Sequence, residues 1–525
     1  MTDEKKTTKK PASSAKPGDV KSAPGKGAPP AKSAAAKSDD AGEAKKPAAA
    51  SKGASSYVLP AANPWATAWK TTAAIGGIGA VGAAIGFSMD PKRFAFSYLF
   101  GFEVFLSLGL GAIFFVLMQH LTSAGWSITV RRTAELFASG MIAIAILYVP
   151  VWAVKGHLFP WLHQDLHHDK AEASETRTTS ATLQDGEHGR APAAPDHAAR
   201  GAEGGPTPRA AHAGAVGAHA EHGAAAAHEG AAEAGHGGRG DPVEVAEHEV
   251  LAAKRPYLNE GFFTFRAVLY LVVWAWIGWK LFSDSTRQDR TKDASITLSL
   301  KRFAPPATIL FALTLTFAAF DWIMSLEPSW FSTIFGVYCF AGSVVSGLAL
   351  IIVVTSSIRA NGFLEKEISI EHYHDLGKLM FGFLVFWAYI GFSQFMLIWY
   401  AALPEETTFF HRRWDEGPWA SVSVALIIAH FVIPFFLLLS RNVKRRLQML
   451  TLGASWLLVM HVVDIYWLVM PNYAQADFSV HWLDLACLFA VGGLYLTVVL
   501  YQMQKHSLIP VGDPRLPRAL HFENA

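Results

Sequence analysis

Cysteine is scarce in this chain. The only two, Cys339 and Cys487, lie far apart, each inside an apolar run. There is no CxxC, no CxxCH and no spaced cysteine cluster, which excludes an iron–sulfur ligand set and a covalent haem site. No covalently bound cofactor is therefore expected, and both cysteines read as small buried hydrophobes. Charge is scarce too. Asp, Glu, Lys and Arg make up 17% of the 525 residues, against about 25% in soluble domains. The net charge of +2 says little, and no nucleic-acid partner is expected. Residues 1–56 lack the apolar run of a secretory leader.

Apolar residues are abundant, at 51% of the chain. The mean hydropathy is positive even though two long stretches are strongly polar. The remainder must be very apolar, which is the membrane class. A helix crossing a bilayer needs about 20 apolar residues. Ten stretches qualify, roughly 70–89, 95–119, 133–154, 263–282, 305–325, 331–356, 377–401, 417–440, 447–470 and 482–503. The expected fold class is thus all-α, a polytopic membrane protein with about ten transmembrane helices.

The expected organisation is a disordered Lys/Ala/Pro-rich tail over 1–60, helices 1–3 within 65–160, a disordered insert over 165–250, helices 4–10 within 255–505, and a C-terminal tail over 506–525. The N-terminal tail holds twelve lysines against six acids in residues 1–56, and such a composition buries too little surface to offset ordering. The insert carries His188, His197, His212, His219, His222, His228, His236 and His248 in an Ala/Gly-rich tract. Spaced histidines bind transition metals weakly, but a pH-sensitive spacer is the plainer reading. Lys and Arg favour one set of short loops about fourfold, which puts both termini in the cytoplasm. Those residues include Arg131, Arg132, Arg287, Arg290, Arg359, Arg441, Arg445 and Arg446.

Ionisable groups within spans are costly and need a reason. Glu103, Asp321, Gln394, His461, Asp464 and Asp484 fall in the outer half of the membrane, and Glu135 and His430 toward the inner half. His461 and Asp464 are three apart and share one helix face. An imidazole beside a carboxylate can pass a proton or hold a carbonyl oxygen. Interhelical hydrogen-bond glue is the bland reading for any one of these residues. In the turn DWIMSLEPSW, Pro328 is expected to start helix 6, with Glu327 beside it.

Longer motifs narrow the field. YLNEGFFTFR (257–266), AFDWIMSLEPSWFSTIFGVYCFAG (319–342), HDLGKLMFGFLVFWAYIGFSQFMLIWYAALPEE (374–406) and QHLTSAGWSITVRR (119–132) resemble the NrfD/polysulfide-reductase-type membrane subunits. The resemblance is strongest to the second quinone-binding membrane subunit of alternative complex III, a quinol:cytochrome c oxidoreductase. It covers roughly 65–165 and 255–510. It implies ten helices arranged as two four-helix bundles plus two extra helices. It implies an integral subunit of an electron-transfer complex in a bacterial inner membrane, contributing quinone binding, proton conduction or both. It also implies partners: a paralogous subunit of the same fold, an iron–sulfur subunit and multihaem cytochrome c subunits, which hold the haem c and iron–sulfur clusters, with membrane lipid around them. Asp321, His461 and Asp464 fall on the family's polar-path positions. The basic tail and the His-rich insert look longer than the family needs.

Two other classes are weighed against this. A stand-alone secondary transporter would show paired, interrupted helices, whereas the Gly-rich first helix, GGIGAVGAAIG, reads as close helix packing. A di-haem cytochrome b would need paired histidines along its helices, and no expected span has two that are well spaced.

Overall fold

The computed structural model describes residues 57–162, 250–415, 417–474 and 478–523. The expected disordered tail and His-rich insert lie almost wholly outside the described residues. Among the described residues there is no strand, and ten helices are long and apolar enough to cross a membrane. They are α1 (Pro64–Met89), α2 (Pro91–Leu121), α3 (Ile128–Ala153), α4 (Glu260–Thr291), α5 (Ala294–Leu326), α6 (Phe335–Ala360), α7 (Ile370–Ala401), α8 (Pro418–Leu439), α9 (Leu447–Asn472) and α10 (Trp482–Lys505). The chain is an all-α, polytopic membrane protein. We call the side where α1 begins and α10 ends the first face, and the opposite side the second face.

Helix starts follow from local chemistry. Asn63, Asp90, Asn259 and Asp293 cap α1, α2, α4 and α5, each side chain accepting a backbone N–H from the first turn. Such caps satisfy otherwise orphaned donors. Most helices outrun their apolar cores, because polar residues at the membrane boundary continue the helical hydrogen bonding. One boundary moves the other way. Pro328 does not start α6, which begins at Phe335. The intervening loop is held instead by Lys254, whose ammonium donates to the carbonyls of Pro328, Ser329 and Trp330. Burial pushes the Lys254 ammonium down to about 8. A short helix, Pro404–Trp414, which the apolar runs gave no hint of, lies along the second face between α7 and α8.

The packing gives two four-helix bundles, α2–α5 and α6–α9, with α1 and α10 paired beside α2. Two close approaches depend on glycine. A Cβ on Gly111 of α2 would come within 1.9 Å of the Ser343 carbonyl oxygen of α6, so α2 and α6 meet backbone to backbone where the bundles join. Gly76 and Gly493 do the same for α1 and α10. With no net hydrophobic drive between helices in lipid, such close contact supplies the dispersion energy that holds them.

Candidate functional site

The acids and histidines singled out within the expected spans divide into ion pairs near the two faces and a sparse array between them. Asp321 on α5 belongs to the first kind. Arg266 of α4 binds both its carboxylate oxygens at 2.8 Å, and the Tyr270 hydroxyl donates to it at 2.8 Å. This pair ties the YLNEGFFTFR segment to the AFDWIMSLEPSW segment. Asp484 accepts from Arg93 at 2.5 Å, Ser97 at 2.5 Å, Tyr466 at 3.2 Å and the His481 backbone N–H at 2.9 Å. It thereby locks the start of α10 to α2 and α9.

Glu135 holds the corresponding position at the first face. It accepts from Arg131 at 2.8 Å and Arg132 at 2.9 Å, and all three side chains are fully buried. Arg132 continues to Asp289 of α4 at 2.7 Å and to the Ser507 carbonyl at 2.9 Å. Arg131 reaches Asp513 at 2.9 Å. The C-terminal segment is thus clamped to α3 and α4. Burial alone would raise the Asp513 carboxyl, but the hydrogen bonds from Arg515 and the charges of Arg131 and Arg515 hold it well below the usual carboxylate range. Carboxylates satisfied in this way fix geometry, and a saturated carboxylate is poorly placed to exchange a proton.

The groups between the faces are differently situated. Glu103 and Ser107 of α2, Tyr338 of α6, and His461 and Asp464 of α9 converge on one cavity of about 30 Å³. That is room for one or two waters. Ser107 Oγ lies 2.7 Å from His461 Nε2 and also 2.8 Å from the Val104 carbonyl oxygen. The hydroxyl has one hydrogen and a carbonyl can only accept. That hydrogen therefore goes to Val104, and His461 donates through Nε2. The other ring nitrogen, Nδ1, is buried with no hydrogen-bond partner. It faces Gly342 of α6, where a Cβ would stand 3.7 Å from it. One turn along, Asp464 accepts from the Tyr338 hydroxyl at 2.5 Å. Glu103 Oε1 is buried without a partner. Unlike the ion pairs, this array holds a bare imidazole nitrogen and a bare carboxylate oxygen across one water-sized space. Such groups can take up and release protons.

His430 and Gln394 sit beside the array. His430 lies in a π-helical turn of α8, Leu426–Val432, a distortion frequent at functional positions. It is fully buried, stacks on Trp387 at 4.1 Å between centroids, and has no partner for either ring nitrogen. Gln394 of α7 lines a second, larger cavity of about 460 Å³ enclosed by α6, α7, α8, α9 and the short helix. Tyr338 lines both cavities.

The structure therefore brings together Glu103, His461 and Asp464, sets His430 and Gln394 next to them, and places Asp321, Asp484 and Glu135 in separate ion pairs. Sequence reasoning missed Tyr338, Trp387 and Arg413. Tyr338 and Trp387 read as ordinary membrane aromatics, and nothing in their spacing marks them. Arg413 reads as a loop charge. It is instead fully buried, donating to the carbonyls of Phe409, Trp467 and Leu468 at the end of α9. Among the described residues, no three His, Cys, Asp or Glu side chains converge to hold a metal ion. Compared with known proteins, the chain matches no family model and no curated protein.

Proposed function

We propose that this chain is a membrane subunit of a quinol-oxidising electron-transfer complex of the alternative complex III type, and that its own task is to carry protons through the array Glu103–Ser107–His461–Asp464–Tyr338. The observation that carries the reading is the contrast between this array and the surrounding charges. Asp321, Asp484 and Glu135 are saturated by arginines, while Glu103 and His461 keep unpartnered atoms on a shared cavity. Maintaining incompletely paired polar groups at membrane depth costs several kcal/mol, which a purely structural role gives no reason to bear. The motif resemblance supports the assignment to a complex, with the haem c and iron–sulfur centres in partner subunits and the quinol oxidised against them. The motif resemblance supports a bacterial inner membrane, and the lysine and arginine asymmetry supports an orientation with the first face, and both termini, in the cytoplasm.

Purification of the tagged full chain in mild detergent tests this assignment. Mass spectrometry, an optical spectrum and a quinol:cytochrome c assay on one sample should show co-purifying multihaem and iron–sulfur subunits with quinol oxidation. A stable, colourless, solitary chain would refute it in favour of a stand-alone transporter.

A further inference from the structure

Among the described residues the buried arginines are Arg93, Arg131, Arg132, Arg266 and Arg413. The first four each meet a carboxylate at 2.9 Å or less. Arg413 makes no such pair. Its guanidinium donates to the carbonyls of Phe409 at 2.9 Å, Trp467 at 3.2 Å and Leu468 at 3.0 Å, and it lies 3.6 Å from the centre of the Phe409 ring. The carbonyl dipoles at the end of α9 steady this charge, but they do not neutralise it.

The ionisable groups that act on Arg413 are Glu327, Arg412 and Tyr338. Glu327 is the acid among them. It is buried, and neither carboxylate oxygen has a hydrogen-bond partner. Arg412, 32% exposed, stands 3.5 Å from it, so this acid already answers a second guanidinium. Two cations against one anion leave the cluster positive.

Position gives the charge a use. On α9, Leu468 follows Asp464 by one turn toward the second face, about 6 Å along the axis, and lines the same water-sized cavity. Polar groups therefore lead inward from the second face in the order Arg412, Glu327, Arg413, then Tyr338 and Asp464. The unneutralised cation lies in the middle. Capping α9 does not call for it, since a neutral amide donor would satisfy carbonyls without burying an unanswered charge. Fixed positive charges of this kind exclude protons and cations from pores.

We propose that Arg413 is the electrostatic barrier that closes the array to the second face when the complex is at rest. A proton moving inward from that face must pass the guanidinium. Repulsion over about 6 Å lowers its occupancy there by roughly a hundredfold. At rest the array then exchanges protons with the first face alone. This inference rests on the reading of the array as a proton path.

The test uses the native complex in vesicles with the second face outward, without quinol or acceptor, and a pH-sensitive dye trapped inside. After an acid pulse, the unaltered complex should admit protons no faster than protein-free vesicles. Arg413→Gln keeps a donor for the carbonyls but removes the charge, and it should admit protons at least tenfold faster. Arg413→Lys keeps the charge and should stay closed. Arg413→Gln combined with Asp464→Asn should close again, because the leak runs through the array, whereas damaged packing would leak in both. Should Arg413→Gln not assemble, Phe409→Glu decides. It sets a carboxylate against the guanidinium and leaves the arginine in place, and the same Asp464-dependent leak is expected. A closed Arg413→Gln or Phe409→Glu complex, an open Arg413→Lys complex, or a leak that survives Asp464→Asn would overturn the barrier. The failures are separable. Quinol-driven uptake that does not need Asp464 defeats the path, and Asp464-dependent uptake in a closed Arg413→Gln complex defeats the barrier alone.

Discussion

The Tyr338 hydroxyl, three residues into α6, donates to Asp464 in the second half of α9 at 2.5 Å, and the same tyrosine lines both a water-sized cavity and a large aromatic one. Tyr338→Phe keeps the ring and its packing on Trp387 but removes the donor. Quinol-driven proton uptake by the native complex in vesicles should slow roughly tenfold, in keeping with the loss of a positioned proton carrier, with the subunits still assembled. A pH-sensitive dye in the vesicle medium reads the rate, and uptake at the unaltered rate would remove Tyr338 from the path.

Ser107 orients the imidazole of His461. Ser107→Ala deletes the acceptor for Nε2 and leaves a buried donor unpaired, which costs about 1–3 kcal/mol. The expected result is a lower unfolding temperature together with a His461 ring that exchanges tautomers, visible by nitrogen NMR of labelled histidine. A single fixed tautomer in Ser107→Ala would show that something other than this hydroxyl sets it.

The clamp at the first face is structural. Glu135→Gln leaves Arg131 and Arg132 short of a carboxylate in a fully buried place, and breaking a buried pair from one side costs about 3–5 kcal/mol. Thermal unfolding in detergent should report a large loss of stability, and limited proteolysis should cut within 507–523.

The same clamp has an acid limit. The Asp513 carboxyl is held below its ordinary value of 3.8 in the folded chain. Its contribution to stability is therefore fully present above that value and is lost as pH falls through the folded pKa. Protease protection of the C-terminal segment should stay constant from neutral pH down to about 4 and decline only below that. Release of the segment between pH 7 and 5 would contradict the ion-pair account.

Much of the fold was legible in advance, because ten apolar runs of bilayer length leave little choice of class. The Gly-rich run GGIGAVGAAIG also read as close helix packing, and Gly76, Gly79, Gly82 and Gly86 of it lie against α10, while Gly77 meets nothing within 4 Å. The site was only partly legible. Glu103, His461 and Asp464 stood out as costly groups in apolar runs, and they meet. Asp321, Asp484 and Glu135 stood out equally. For Asp321 and Asp484 the arginine partners come from distant segments, 55 residues away for Arg266 and 391 for Arg93, so no local pattern marks those acids as saturated; Glu135 has its partners, Arg131 and Arg132, on its own helix, a spacing that favours pairing. Tyr338 has an ordinary membrane composition around it, and only the crossing of α6 and α9 gives it a role. The short helix Pro404–Trp414 escaped because its charged residues, Arg412 and Arg413, resemble a solvated loop until Arg413 is seen capping the end of α9.

The most direct test of the central claim is quinol-driven proton uptake by the native complex carrying Asp464→Asn. The substitution preserves shape and a hydrogen bond to Tyr338 but removes the proton-exchanging carboxyl. The account predicts an intact complex that takes up protons at least tenfold more slowly, within the range of a lost acid–base group. Uptake at the unaltered rate and stoichiometry would contradict it and would leave His461, Asp464 and Tyr338 as interhelical hydrogen-bond glue.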